Sequence, residues 1–289
     1  MTTFKNLVLF FISFYVASVF AEATPKSITL GLIPGGHPEA IKSESKIIAE
    51  QLQKKFNVPV NIYISKNYAG LTTALKNKKV DYAFLSALSL VEAEKEVPVK
   101  VLLKKTYNGP YYFSGLVVRA DSKIKSIKDL KDKSIIYVDP QSTSGYLYPQ
   151  VYLRKNKITD ANFKSVSFSG SHAASVEKLE NKEADIAAVF VDDEKTNDGA
   201  WERFKKNPKT KFRLLWVSDP IPNDPIVVRQ DFYDQYPKLT HELMYELIEM
   251  QSDAGTKKLI SEIMGKGELM PATSKQYDPV REVNKVFNK

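Results

Sequence analysis

Apolar residues occur along the chain at two spacings, and segments of the two kinds alternate. Segment 27–34 (SITLGLIP) is a short apolar run typical of a buried strand, whereas the apolar residues in 39–56 recur at helical spacing. Strands are predicted at 27–34, 60–65, 81–86, 111–120, 134–139, 163–168, 186–191, 212–218 and 226–228. Helices are predicted at 39–56, 68–77, 87–95, 126–131, 143–155 and 171–181, with a helical tail from residue 236.

This alternation of strands and helices predicts an α/β protein with largely parallel sheets. The pattern falls into two units, 27–113 and 119–217, followed by a tail that we expect to return to the first unit. The predicted lobes are 27–115 together with 220–289, and 116–219. Because the chain would cross between the lobes twice, we predict a hinge and a ligand cleft between them.

The first residues have the order of a secretory signal. A basic residue, Lys5, precedes an almost unbroken apolar run at 7–20, and Val19 and Ala21 are small residues at the two positions that a signal peptidase inspects. The run is shorter than the roughly 20 residues that a membrane-spanning helix needs. We therefore predict a signal peptide at 1–21, cleaved after Ala21 or Ala23, and a soluble mature protein.

The absence of cysteine narrows the possible sites and the location. A bacterial lipoprotein carries its lipid on a cysteine just after the signal, and this chain has none. The sequence therefore predicts a protein that is not a lipoprotein and moves freely in a periplasm. Disulfides, thiolate nucleophiles and cysteine-ligated metals are excluded as well.

The net charge of +8 at pH 7 indicates a mildly basic protein. The basic residues, Lys104 and Lys105 among them, are scattered, and we assign most of them to polar helix faces or turns. An Arg-rich stripe with interleaved aromatic residues is missing, so the sequence predicts no nucleic-acid partner. A solvated basic surface accounts for the charge, and it is compatible with attraction of small anions.

The strongest local signal is the segment 139–146 (DPQSTSGY), between a predicted strand and a predicted helix. Ser142, Thr143 and Ser144 combine three hydroxyl groups with the free N–H groups and the positive dipole end of a helix start. Gly145 permits close approach of the backbone. An ordinary Ser/Thr helix cap would explain one hydroxyl residue but not three in a row, so the pattern favours an anion-binding site.

Two other helix starts carry candidate side chains. His172 would lie in the first turn of the helix that Ser171 caps, and Tyr68 follows a strand in the segment NYAG. Each has an ordinary alternative: a surface histidine in the first case and a packing tyrosine in the second.

Motifs for catalysis are missing from the sequence. It has no G-x-S-x-G nucleophile elbow, no P-loop, no H-E-x-x-H and no histidine cluster for a metal. We therefore predict no catalytic residues, no metal and no cofactor, and a protein that is not an enzyme.

Four segments of the chain resemble the phosphate/phosphite/phosphonate substrate-binding family of ABC importers. They stand in the family's order, cover nearly the whole mature chain, and read KSIKDLKDKSIIYVDPQSTSGYL, SKNYAGLTTAL, FSGSHAASV and PIPNDPIVVR. The resemblance implies a two-lobed periplasmic-binding-protein fold of the type II kind, with the ligand in the cleft between the lobes. It further implies that the oxyanion is held by Tyr68, Ser142, Thr143, Ser144 and His172.

Acidic residues of the second lobe contact the remaining ligand groups in such relatives. Here that points to Asp192 or Asp193, with Asp219 and Asp224 as weaker candidates. A carboxylate can face an anion when the ligand also carries a P–OH or an ammonium group. The chain departs from the family pattern at one position. Some phosphonate binders have a second tyrosine after the third strand, where this chain has Leu90. The identity of the substituent on phosphorus is therefore not predicted.

The sequence therefore predicts a monomer that reversibly captures a small phosphorus oxyanion and delivers it to an ABC permease in the inner membrane. One alternative is a ligand-sensing periplasmic partner of a membrane histidine kinase. Another is an enzyme on the same two-lobed scaffold, which the signal peptide argues against. Phosphate, phosphite, methylphosphonate and an aminophosphonate all remain possible ligands.

Overall fold

A computed structural model describes residues 24–33, 38–193, 195, 197–265 and 267–288. The predicted signal peptide and its cleavage site lie outside the described residues. Within them, no helix combines the length and the apolar character that crossing a membrane requires.

The described strands and helices are numbered in chain order. Strands β1 to β13 are Ile28–Leu32, Val60–Ile64, Tyr82–Phe84, Val99–Thr106, Tyr111–Arg119, Ser134–Tyr137, Ser165–Phe168, Ile186–Asp193, Asp198–Gly199, Phe212–Val217, Ile221–Pro222, Pro225–Arg229 and Glu268–Pro271. Helices α1 to α10 are Pro38–Phe56, Tyr68–Lys76, Ala87–Glu96, Tyr148–Lys155, His172–Glu180, Ala200–Phe204, Gln230–Gln235, Pro237–Glu249, Ala254–Met264 and Asp278–Phe287. Single turns of 3₁₀ helix lie at Ile127–Asp129, Asp160–Asn162 and Ser274–Tyr277, and a π-helical turn, Thr143–Leu147, leads into α4.

The strands form two sheets. The first has the order β13-β4-β12-β3-β1-β2, and the second has the order β10-β5-β8-β6-β7, with β11 paired to β5 and β9 to β8. The chain leaves the first sheet after β4 and returns to it at β12, which gives the two crossings of a two-lobed α/β fold. The lobe boundaries at 115/116 and 219/220 stay a prediction. Strands β5 and β11, which lie at these boundaries, pair along their whole length within the second sheet.

Both sheets are mixed, whereas the sequence pattern indicated largely parallel ones. In the first sheet β1 pairs parallel with β2 and β3, but β12 and β13 pair antiparallel with their neighbours. In the second, the antiparallel pairs of β5 with β8 and β10 accompany the parallel pairs of β6. The tail, which was predicted to be helical, also supplies strand β13, because its segment pairs with the edge of β4.

Buried side chains cover both faces of each sheet. In the first lobe, Leu71 and Leu85 belong to one apolar cluster and Leu30 and Leu52 to another, and the second lobe has two further clusters, one around Trp201. Helices α2 and α3 follow β2 and β3, and the π-helical turn and α5 follow β6 and β7. Because helices begin where parallel strands end, these four helix starts come to the edges of the sheets that face the gap between the lobes.

Candidate functional site

A cavity of about 100 Å³ lies between the two sheets. Its walls include residues of both lobes and of the second crossing. The polar residues that line it are Tyr68, Ser86, Lys105, Tyr112, Ser142, Thr143, Ser144, His172, Asp192, Arg203, Asn223 and Asp224.

Four helices begin at this cavity, and a side chain caps each of them. The capping oxygens belong to Asn67, Ser86, Ser142 and Ser171, and each accepts a backbone N–H bond from the first turn of its helix. Tyr68 and His172 are the first residues of α2 and α5. The positive dipole ends of four helix starts together favour a negatively charged ligand.

The hydroxyl triplet Ser142, Thr143 and Ser144 is buried, each residue being at most 2% exposed. The Ser142 hydroxyl oxygen accepts a 3.0 Å bond from the Gly145 N–H. The Thr143 hydroxyl oxygen accepts a 2.8 Å bond from the Leu88 N–H. Since a hydroxyl has one hydrogen to donate, each of these two groups keeps its O–H for a partner in the cavity. The Ser142 and Thr143 hydroxyls can therefore both donate, as an oxyanion requires.

Two buried phenols stand beside the triplet. The Tyr68 hydroxyl lies near Ser142, and that of Tyr112 lies near Thr143, Ser144 and the Asp224 carboxylate. Burial, together with the nearby carboxylate of Asp224, raises the pKa of both phenols well above the usual value for tyrosine. Both therefore remain neutral and can donate to an anion at neutral pH.

Tyr112 was not among the residues predicted for the site. The family resemblance placed a second tyrosine near Leu90, whose side chain is instead fully buried in the core of the first lobe. Tyr112 reaches the cavity from the start of β5, two residues before Ser114, whose hydroxyl donates a 2.6 Å bond to the Ser144 carbonyl. The period-two alternation of β5 was the available signal, because it places these two side chains on one face.

His172 lies in the cavity wall with 8% of its surface exposed. Its ring packs edge-on against Phe190, at 4.9 Å between centroids, and Nδ1 has no hydrogen-bond partner within the described residues. Burial lowers the pKa of His172 to about 3, and the positive charges of Lys105 and Arg203 contribute to the decrease. The imidazole is neutral at physiological pH, so one ring nitrogen donates and the other accepts.

The two neighbouring aspartates predicted for the ligand take different positions. Asp192 is 9% exposed and lines the cavity. Asp193 is half-buried and does not line it, and its carboxylate accepts a 2.9 Å bond from the Lys195 N–H. Successive residues of a strand point to opposite faces, which is why β8 presents one of the two to the cavity.

Asp224, a weaker candidate in the sequence, lines the cavity, whereas Asp219 is exposed and does not. Burial raises the pKa of Asp224 to about 6, against the opposing effect of the positive charge on Lys105. Oδ1 has no hydrogen-bond partner in the part of the chain that the structure describes. This carboxyl group therefore offers an acceptor beside the donors of the triplet.

Two basic residues that were not predicted for the site also line the cavity. Lys105 was assigned to the solvated surface, but it lies half-buried in β4, a strand that was not predicted. Its neighbour Lys104 is 2% exposed in the same strand. Arg203 comes from the short helix α6 of the other lobe.

Hydrogen bonds between the lobes surround the cavity. The Ser86 hydroxyl donates to the Gln141 carbonyl at 2.8 Å, and the Tyr68 N–H donates to the Asp139 carboxylate at 3.4 Å. With the bond between Leu88 and Thr143, they join the starts of α2 and α3 to the segment after β6. The lobes are therefore in contact around the site. Within the described residues, no group of three or more His, Asp or Glu side chains could hold a metal ion.

Comparison with known proteins gives consistent results for sequence and structure. Residues 30–277 match the family described as ABC transporter, phosphonate, periplasmic substrate-binding protein. The phosphonates-binding periplasmic protein of Escherichia coli (strain K12) is 28% identical over 283 residues, which cover 95% of this chain and 81% of that protein. A probable phosphite-binding protein of an ABC transporter from Prochlorococcus marinus (strain MIT 9301) is 25% identical, with 98% and 99% covered.

The fold is likewise similar to that of solved structures. A protein of Prochlorococcus marinus (MIT 9301) in complex with methylphosphonate has a TM-score of 0.78 to this chain. The two are 24% identical, and the comparison covers 92% of this chain and 100% of that one. The likeness confirms the predicted two-lobed periplasmic-binding-protein fold.

Proposed function

This chain belongs to the periplasmic substrate-binding proteins of phosphonate ABC transporters, and we propose that it captures a small phosphorus oxyanion in the cavity between its lobes. One observation carries the proposal. The hydroxyl oxygens of Ser142 and Thr143 each already accept a backbone N–H bond, and each group still has its O–H hydrogen to donate. Such a site favours a ligand that presents hydrogen-bond acceptors, and the oxygens of a phosphonate, phosphite or phosphate are acceptors.

The oxyanion would lie against the hydroxyl triplet, with Tyr68 and Tyr112 as further donors and His172 at the wall. Asp224 is the acceptor at this end of the cavity. Since a phosphonate or phosphite can keep one P–OH near neutral pH, it can donate to that carboxylate. Sulfate has no such hydrogen and would meet a buried negative charge, which provides selectivity against it.

We infer that the ligand acts by shifting the equilibrium between open and closed lobes. Its contacts come from both lobes, since Tyr68 lies in the first and the triplet in the second. The ligand would therefore favour the closed form, and a permease in the inner membrane would accept that form. In this proposal the protein works as a monomer and breaks no bond of its ligand, so it is not an enzyme.

The family is periplasmic, and the apolar run at 7–20 supports export through a signal peptide at 1–21. Because the chain has no cysteine, we propose that it carries no lipid anchor. We place the two crossings of the hinge in the segments 107–110 and 223–224, between the strands of the two sheets.

Isothermal titration of the mature protein tests the proposal. The protein is unfolded and refolded to remove carried-over ligand, then titrated with phosphate, phosphite, methylphosphonate, 2-aminoethylphosphonate and sulfate. We expect binding of at least one phosphorus anion, no binding of sulfate, and a large loss of affinity in Ser144→Ala. The exposed Ser252 provides a control, because Ser252→Ala removes a hydroxyl outside the cavity. Absence of binding by every phosphorus anion, or equal binding of sulfate, would contradict the proposal.

A further inference from the structure

The second crossing between the lobes is very short. Strand β11 ends at Pro222 in the second sheet, and β12 begins at Pro225 in the first, so the chain passes from one to the other through Asn223 and Asp224. A proline fixes its own φ angle and favours an extended conformation in the residue before it, so Pro225 also restricts Asp224. Rotation at this crossing is therefore concentrated at Asn223. Because Asn223 and Asp224 also line the cavity, the orientation of the crossing determines the shape of the cavity wall.

The phenol of Tyr277 holds this crossing from outside the cavity. Its hydroxyl donates a 2.7 Å hydrogen bond to the Asn223 carbonyl, and its side chain is fully buried. Burial and the nearby charge of Asp224 raise the pKa of Tyr277 above the usual value for tyrosine, so the phenol stays protonated and can donate. Tyr277 itself does not line the cavity. The bond restrains the peptide unit between Asn223 and Asp224, where rotation would reorient the crossing.

Asn223 also connects the second crossing to the first. Its backbone N–H donates to the Pro110 carbonyl, and its side-chain amide donates to the Gly109 carbonyl, each at 3.4 Å. Both distances are longer than those of a strong N–H···O bond, whereas 2.7 Å is the usual length of an O–H···O bond. Among these contacts of Asn223, the bond from Tyr277 is therefore the strongest, and it acts on both crossings through one residue.

The segment around Tyr277 is anchored on the first lobe. The Ser274 hydroxyl donates a 2.7 Å bond to the carboxylate of Glu94, in helix α3. Arg281 donates to both oxygens of the same carboxylate, at 2.7 Å from Nη2 and 3.0 Å from Nε. Since Ser274 and Arg281 lie on either side of Tyr277 in the sequence, the phenol is held in place relative to the first lobe. The crossing is thus attached to a rigid part of that lobe rather than to a free loop.

We propose that Tyr277 is a positioning residue for ligand binding. It keeps the second crossing in the orientation in which Asn223 and Asp224 line the cavity, and so sets the affinity without contacting the ligand. Without this bond the crossing adopts a wider range of orientations, and a smaller fraction of the ligand-free protein has the lobes arranged for binding. The inference rests on the proposed function, because it takes the ligand to bind between the lobes.

The variant Tyr277→Phe tests the inference, because it removes the hydroxyl and keeps the ring. The chain has no cysteine, so Lys46→Cys in the first lobe and Lys125→Cys in the second, both at exposed positions, can carry a pair of spin labels. We expect double electron–electron resonance of the ligand-free protein to give a broader distribution of label distances in Tyr277→Phe than in the labelled parent. The dissociation constant for the phosphorus anion should rise about two- to tenfold, as expected for the loss of one neutral hydrogen bond.

Tyr82→Phe is the matched control. Tyr82 is also fully buried, and its hydroxyl oxygen lies 2.8 Å from that of Thr240 within the first lobe. Its loss removes a comparable bond at a distance from the hinge, so it should lower the melting temperature but change neither the label distances nor the affinity. A role of Tyr277 in stability alone would make the two variants behave alike.

Unchanged label distances in Tyr277→Phe, or an equal change in Tyr82→Phe, would overturn the inference. The distance measurement needs no ligand. If the wild-type protein binds no phosphorus anion, the proposed function fails while the label distances still test the restraint on the hinge. Glu94→Gln weakens the anchor of the segment around Tyr277 and should broaden the distance distribution in the same way, so it decides if Tyr277→Phe does not fold.

Discussion

The backbone N–H of Leu88, in the first lobe, donates a 2.8 Å hydrogen bond to the hydroxyl oxygen of Thr143, in the second. Both groups lie at helix starts, and the Thr143 hydroxyl is also part of the triplet that lines the cavity. The bond turns the hydroxyl into an acceptor toward the other lobe and leaves its hydrogen for a ligand. Thr143 thus couples contact between the lobes to the recognition of an oxyanion.

The first prediction concerns this hydroxyl. Thr143→Val keeps the size of the side chain but leaves the Leu88 N–H and the ligand oxygen without their partner. A lost hydrogen bond to a charged group costs about 1.5–3 kcal/mol, so we expect the dissociation constant to rise about 10- to 150-fold. Thr143→Ser keeps the oxygen and should remain close to wild type. Calorimetric titration measures both, and equal losses in the two variants would mean that the hydroxyl makes no specific contact.

The second prediction concerns Tyr112, which was not predicted from the sequence. Its raised pKa keeps the phenol protonated, so Tyr112→Phe removes a donor without changing charge. We expect affinity for the phosphorus anion to fall by about 1.5–3 kcal/mol, the range for a hydrogen bond to a charged group. The adjacent Tyr111 is 48% exposed, and Tyr111→Phe should leave affinity unchanged. Titration of the two variants side by side checks this, and an unaltered affinity in Tyr112→Phe would show that the phenol does not bind the ligand.

Part of the site could be read from local sequence because its signals lie within a few residues of one another. The hydroxyls at 142–144, Tyr68 and His172 each stand where an apolar strand pattern changes to a helical one. Such a change of period marks a helix start, and helix starts bind anions. The structure brings these residues together in one cavity.

The rest of the site depends on pairing that the chain does not encode locally. Lys105 lies in β4, whose segment VKVLLKKT mixes apolar and basic residues and is held by antiparallel pairing with β12 and β13, far away in sequence. Arg203 lies in a five-residue helix, too short for a periodic signal. Which of Asp192 and Asp193 lines the cavity depends on which face of β8 is turned toward the cavity. These distinctions come from tertiary contacts rather than from propensity.

The third prediction concerns the protonation state of His172. With its pKa near 3, the imidazole should stay neutral from about pH 5 to pH 8 in the ligand-free protein. Its ring-proton NMR resonance, assigned by its loss in His172→Gln, should therefore keep a constant shift over this range. A titration midpoint within that window would show that the ring is solvated or paired with an anion. The lowered pKa also implies that the contribution of His172 to stability decreases as the pH falls below about 6.5.

The fourth prediction concerns Asp224 in the ligand-free protein. Because its pKa in the folded state is about 6, above the usual value of 3.8, the folded protein binds this proton more tightly than the unfolded chain does. The free energy of unfolding contributed by this group is therefore greatest below about pH 4 and decreases as the pH rises toward 6. Asp224→Asn does not ionise, so its melting temperature should rise relative to that of wild type between about pH 4 and pH 7. The exposed Asp219 supplies the control Asp219→Asn, for which we expect no such trend.

The fifth prediction concerns a contact that joins the last helix to the second lobe. Arg154 Nη1 donates a 2.9 Å hydrogen bond to the Phe287 carbonyl, and the guanidinium carbon lies 4.2 Å from the centroid of the Phe287 ring. The ring of Tyr146 packs edge-on against the same ring, with 5.7 Å between the two centroids. Phe287→Ala keeps the backbone bond and removes both ring contacts, each worth on the order of 0.5–1.5 kcal/mol. If these contacts stabilise the closed lobes, the dissociation constant should rise severalfold although Phe287 lies outside the cavity. Val286→Ala, at a neighbouring position that is 52% exposed, should bind like wild type. Small-angle scattering of the ligand-free variant should give a larger radius of gyration than that of the wild-type protein. If both the radius and the affinity are unchanged, the ring contacts do not hold the lobes together.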